Sequence, residues 1–186
     1  MLKKDLRSIY SERRKNLPAQ RISELSLSLA NLLLQLPIWN YSYYHLFLSI
    51  TEKNEVDTSF IMSILQGKDK NILLPKMLDS QNLINFLLTD NTPIRKNRWN
   101  IPEPVDGIEV PPEKIDVVFL PLMAFDEQGH RVGYGKGFYD ILLNKCRPDV
   151  VKVGLSLFQA EEKIADIDTH DIPLNYCVTP DRIYSF

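Results

Sequence analysis

Phe119–Leu143, FLPLMAFDEQGHRVGYGKGFYDILL, is the stretch whose reading decides the fold. Four of the chain's seven glycines, Gly129, Gly133, Gly135 and Gly137, lie inside it, within nine residues of one another. An apolar strand-like run, IDVVFLPL, leads in, and a helix-like run, FYDILLNK, leads out. A strand, a glycine-rich turn and a helix together present backbone N–H groups and a positive helix end to an anion. The expectation is a phosphate site at the carboxyl end of a strand.

The GYGKG core lacks the spacing of a P-loop and is not the GxGxxG dinucleotide fingerprint. Its surroundings carry more information. Arg131 suits a bidentate grip on phosphate oxygens, and Lys136 adds a mobile point charge. Glycines permit positive φ and close backbone approach. Asp140, in the first turn of the following helix, either complements the helix dipole or holds Mg²⁺ beside phosphates. Asp126 in FDEQG reads as a turn former. Tyr134, Phe138 and Tyr139 bring aromatic surface, which serves core packing or a flat heteroaromatic ligand.

Upstream, residues 2–16 read as a helix. At about 100° per residue, Lys3, Arg7 and Arg14 share one face, beside the apolar stripe Leu2, Leu6, Ile9 and Leu17. That face is either solvated or folded over a polyphosphate. Residues 21–36 form a second, leucine-rich helix ended by Pro37. Tyr43–Ile50 is a near-continuous apolar strand, buried on both faces as in a parallel sheet, with His45 packed inside it. Asp57 or Thr58 caps the helix TSFIMSILQ, which Gly67 closes. NILLP and LINFLLT are further short apolar runs. Residues 90–114, with five prolines and Trp99, read as a long irregular binding loop. VVKVGLSL, CVT and RIYS supply the last strands, with a polar stretch at 159–175 between them.

Alternating strands and helices indicate an open, mostly parallel α/β sheet flanked by helices, forming one domain over residues 1–186. Ligands in such sheets sit outside the carboxyl ends of the strands. A formal net charge of −2 argues against nucleic acid as the main partner. No apolar run spans a bilayer, and the charged start MLKKDLRSIYSERRK lacks a signal-peptide core. Cys146 and Cys177 form no CxxC, so inert thiols in a reducing cytoplasm are expected.

PLMAFDEQGHRVGYGKGFYD (121–140) resembles the signature of the 5-formyltetrahydrofolate cyclo-ligase family, roughly P-x-x-A-F-D-x-x-G-x-R-x-G-x-G-x-G-[FY]-Y-D, at every fixed position. KKDLR, LSITEKNEVDT, RWNIPEP and THDIP agree with it across nearly the whole chain. The resemblance implies ATP-dependent closure of 5-formyltetrahydrofolate to 5,10-methenyltetrahydrofolate, with Mg²⁺ present and ADP and phosphate released. It implies a monomeric α/β domain similar to sugar-phosphate isomerases and CoA transferases. It assigns ATP to Lys3, Lys4, Asp5, Leu6 and Arg7, and to Arg131, Val132, Gly133, Tyr134, Gly135, Lys136, Gly137, Phe138 and Tyr139. The folate would contact Leu48, Glu55, Trp99 and the Tyr134–Phe138 segment, and Mg²⁺ would be held by Asp140 and Asp171. Lys136, Arg131 and Tyr139 are the expected catalytic set. The alternatives are a non-catalytic nucleotide- or folate-binding protein and a sugar-phosphate isomerase of similar fold.

Overall fold

A computed structural model describes Met1–Phe186. The helices are α1 (Lys3–Lys15), α2 (Ala19–Leu33), α3 (Ser59–Gly67) and α4 (Phe138–Lys145). The first six strands are β1 (Tyr43–His45), β2 (Asn71–Met77), β3 (Leu83–Leu87), β4 (Ile94–Lys96), β5 (Pro102–Pro104) and β6 (Ile108–Glu109). The other six are β7 (Val117–Pro121), β8 (Ala124–Phe125), β9 (Arg131–Val132), β10 (Val151–Leu155), β11 (Tyr176–Val178) and β12 (Ile183–Ser185). No helix is long and apolar enough to cross a membrane.

Eight strands form the main sheet in the order β12-β11-β10-β7-β1-β2-β3-β6. The five from β11 to β2 run parallel, and antiparallel strands finish both edges. Alternation along β7 explains its apolarity. Val117 and Phe119 enter a core with Leu29 and Leu33 of α2 and Ile61 and Leu65 of α3, whereas Val118 and Leu120 pack with Leu142 and Leu143 of α4. A smaller cluster joins Leu6 and Tyr10 of α1 to Met123, Ala124 and Val132. From β1 the chain winds one way through β2 and β3. It then returns to β7 on the other side of β1 and continues outward through β10 and β11. The boundary between β1 and β7 is thus the switch point at which such sheets open a ligand crevice.

Three expectations change. The strand expected over Tyr43–Ile50 stays in the ladder only to His45. Beyond it, side chains take over backbone groups of the run: Thr58 Oγ1 donates to Phe47 O (2.8 Å), and the Ile50 N–H donates to Glu55 Oε2 (2.7 Å). Residues 90–114 contain a two-stranded ribbon, β4 with β5, and the edge strand β6. The prolines of β5 fit such a ribbon, whose outer side needs no donor. Gly67 is the last residue of α3, and the left-handed turn after it falls to Asp69 at φ 52°.

Candidate functional site

A cleft of about 450 Å³ opens beyond the carboxyl ends of β1, β2 and β7, which deliver Ile50, Met77 and Pro121 to its wall. One side is the glycine segment with α1 laid across it. Arg7 Nε donates to Gly133 O (2.8 Å), fixing the loop to the helix. Gly135 sits at φ +85°, and a Cβ there would lie 3.2 Å from the Arg7 guanidinium carbon, so glycine is needed for both reasons. Gly133 has no positive φ, and a Cβ there would meet no protein atom within 4 Å. Gly137, at φ 75°, turns the chain into α4, whose first N–H groups have no acceptor within the helix.

Two ion pairs cross this side. Lys3 pairs with Asp171, and Arg131 pairs with Asp140 while also donating to Ile172 O. The Arg131 side chain is only 8% exposed. It therefore works as an internal clamp that holds α4 to the 171–172 loop, where the sequence suggested an open phosphate grip. Lys136 is exposed on the cleft wall and makes no ion pair. The opposite side is apolar and aromatic: Trp99 and Ile101 from the β4–β5 ribbon, with Met77, Ile50 and Phe138.

Behind the cleft lies a buried polar chain. Tyr134 Oη donates to Glu55 Oε1 (2.5 Å), the Ile50 N–H donates to Glu55 Oε2 (2.7 Å), and Arg14 Nη1 donates to Tyr134 Oη (3.0 Å). Burial raises the pKa of Glu55, and the hydrogen bonds from Tyr134 and Ile50 and the fields of Arg14 and Lys53 oppose that rise. Burial also raises the pKa of Tyr134, with the Glu55 charge adding to it. Tyr139 meets His45 edge to face at 5.6 Å, and burial pushes His45 down to about 4.

Of the expected site residues, Lys3, Arg7, Trp99, Arg131, Gly133 through Asp140, and Asp171 line the cleft. Others do not. Leu6 and Val132 are core residues, because their side chains fill the cluster under α1. Lys4 and Asp5 are exposed off the cleft wall. Leu48 packs against the α2–α3 core, and Glu55 is 5% exposed with Tyr134 on its carboxylate. Sequence reasoning missed Lys53, whose Nζ lies 4.2 Å over the Tyr134 ring, together with Ile50, Met77, Ser80, Ile101 and Pro121. Ile50, Met77, Ser80 and Pro121 follow or end central strands, the one signal that could have found them.

No group of three or more His, Cys, Asp and Glu side chains gathers to hold a metal by protein alone. The two carboxylates of the cleft, Asp140 and Asp171, suit a hard cation that takes most of its oxygens from water and phosphate. Asp126 is a turn residue: its carboxylate accepts from the Gln128, His130 and Ile164 N–H groups.

The sequence model described as the 5-formyltetrahydrofolate cyclo-ligase family matches residues 1–180. The chain is 33% identical over 138 residues to the Escherichia coli 5-formyltetrahydrofolate cyclo-ligase, covering 71% of this chain and 75% of that protein. It is 26% identical to a probable 5-formyltetrahydrofolate cyclo-ligase of Schizosaccharomyces pombe, covering 97% and 96% of the two chains. The solved structure of Aquifex aeolicus 5,10-methenyltetrahydrofolate synthetase superposes with a TM-score of 0.84 at 32% identity, over 100% of this chain and 93% of that one.

Proposed function

Because this chain belongs to the 5-formyltetrahydrofolate cyclo-ligase family, and so is an ATP-dependent ligase that converts 5-formyltetrahydrofolate to 5,10-methenyltetrahydrofolate, we propose how its own residues perform that closure. The observation that supports the reading is the division of one cleft into a cationic glycine side and an aromatic side. ATP phosphates lie against Arg7, Lys136, the loop N–H groups and the start of α4. The folate lies against Trp99, Ile101, Met77 and Phe138.

The formyl group on N5 is an amide, so its carbon is a poor electrophile and its oxygen a poor leaving group. The formyl oxygen attacks the γ-phosphorus, the bond to the bridging oxygen breaks, and ADP leaves. N10 then attacks the activated carbon and loses its proton, and the carbon–oxygen bond breaks to release phosphate. Positioning and charge stabilisation are what such phosphoryl transfer requires of a protein. Arg7 and Lys136 offer charge that no carboxylate already holds, and Arg131 fixes Asp140 and α4 beside them. Asp140 and Asp171 would hold Mg²⁺, which when bound offsets charge between phosphate oxygens. The family match displaces the two rival readings, a non-catalytic binder and a sugar-phosphate isomerase.

The test is direct. Full-length protein mixed with Mg-ATP and 5-formyltetrahydrofolate is expected to form methenyl product and ADP in equal amounts, with turnover falling when Mg²⁺ is chelated. Phosphate release without folate, or no turnover, refutes the reading.

A further inference from the structure

Beyond Tyr134 lies a second chamber of about 370 Å³, separate from the cleft but sharing Arg7, Lys53 and Tyr134 with it. Its lining is dominated by cations: Arg7, Arg14, Lys15 and Lys53. Glu52 is the one acid among its lining residues, and Lys96 already pairs with that carboxylate. Lys15 has only an exposed contact with Glu12 at 3.6 Å, and Arg7, Arg14 and Lys53 form no ion pair at all. In a chain with more acids than bases, that is an excess of positive charge gathered at one place, with Glu55, behind Tyr134, the one buried carboxylate in the fields of Arg14 and Lys53.

Arg14 is the strongest sign of a built site. It is 3% exposed, and its Nε has no hydrogen-bond partner. Its two Nη atoms donate only to neutral oxygens, Tyr134 Oη and Leu122 O. Glu55 lies one hydrogen bond further away, across the Tyr134 phenol. A buried guanidinium with no carboxylate in contact is costly unless an anion comes to it. The opposite lip is held in place by Asn54. It adopts the left-handed conformation (φ 48°, ψ 49°), and its Nδ2 donates to Arg14 O (2.8 Å), docking the Thr51–Lys53 turn on the end of α1.

We propose that this chamber is a second oxyanion subsite, which receives a phosphate-sized anion between Arg14 and Lys53 on the far side of Tyr134 from the ATP phosphates. The site rests on charge and burial. That its anion during turnover is the released phosphate rests on the cyclo-ligase reading. Arg7, shared by both chambers, would pass the ion from one to the other.

Inorganic phosphate is titrated into the full chain saturated with Mg²⁺ and a non-hydrolysable ATP analogue, and followed by ³¹P NMR. One phosphate per chain is expected to bind alongside the analogue. Lys53→Gln and Arg14→Gln should each weaken it about tenfold, the loss of one charge-assisted hydrogen bond. A parallel titration with γ-glutamylglutamate tests a carboxylate tail as occupant, and it is expected to bind at least tenfold more weakly. The proposal is overturned if phosphate only competes with the analogue, binds the variants as well as the wild type, or binds more weakly than the dipeptide. Melting curves are taken first. Should Arg14→Gln fail to fold, Lys53→Gln, at an exposed side chain, decides the matter. Phosphate binding needs no turnover, so a chain that binds it but fails to make methenyl product refutes the function and not the subsite.

Discussion

On one wall of the cleft, Lys3, Arg131, Asp140 and Asp171 are already joined in pairs, and Arg131 also holds Ile172 O. On the other, Trp99 stands 48% exposed in the turn between β4 and β5, with the Arg98 guanidinium 3.9 Å over its ring. That ribbon is tied down by edge contacts: Lys96 with Glu52, and the Asn97 Nδ2 and Met77 N–H groups donating to Glu103 at 3.1 and 3.0 Å. The polar wall is thus organised before any ligand arrives, which suits charge chemistry that penalises reorganisation. The apolar wall is anchored at its ribbon's edges and presents a half-exposed Trp99 ring, which suits grip on a flat ring. The difference teaches where paired charge is placed in this molecule: inside the polar wall, and only at the edge of the apolar one.

The sharpest way to break this contrast is Arg131→Ala. It removes the cation paired with Asp140 and leaves only the Ile172 N–H, 3.5 Å from Asp140 Oδ1, to hold α4 to the 171–172 loop. The expected loss in kcat/KM is about a thousandfold, measured as methenyl formation, and a loss under tenfold would show that the clamp is dispensable. Next comes the floor beneath the polar wall, where His45 supports Tyr139. The folded pKa of about 4 lies below the unfolded value near 6.5, so the unfolded chain binds the extra proton. Its neutral form therefore contributes stability that is complete above pH 6.5, is lost as pH falls towards 4, and levels off below that. Relative to His45→Leu, the wild type should lose on the order of 3 kcal/mol across that window. Parallel urea-unfolding curves for both proteins at pH 7, 5.5 and 4 would rule this out.

Two smaller effects separate the walls. Arg7→Ala should raise KM for ATP about tenfold and KM for folate far less, because one charge-assisted contact is removed. Trp99→Ala should do the reverse, raising folate KM about fivefold with the melting temperature nearly unchanged, since the ring is half exposed. Steady-state kinetics with each substrate varied would show the contrast to be false if both variants shifted the same constant.

Local signals were the legible ones. The run FYDILLNK became α4 with the same ends, and the glycine segment lies where a strand-end anion site was expected. The extent of β1 was not legible, because nothing in its apolar run reveals that the Thr58 hydroxyl and the Glu55 carboxylate will take its backbone groups. Arg14 could be placed on the same helix face as Lys3 and Arg7, but its burial depends on Tyr134 and Leu122, more than a hundred residues away. Leu6 and Val132 fell inside motif segments yet face the core, since a contiguous motif on a helix or strand points in more than one direction.

The pairing of Lys3 with Asp171, reinforced by the Lys3 N–H on Asp166, has a consequence for how the protein is made. The two partners are 168 residues apart in sequence. At about 5–20 residues per second, α1 leaves the ribosome tens of seconds or less before the loop that closes over it. Until the Leu122–Tyr134 segment follows, its basic face and the Leu6 and Tyr10 side chains have no docking place. The end of the cleft formed by α1 and the glycine segment is therefore among the last parts of the molecule to be completed, and chaperone contact with the nascent chain should centre on this helix.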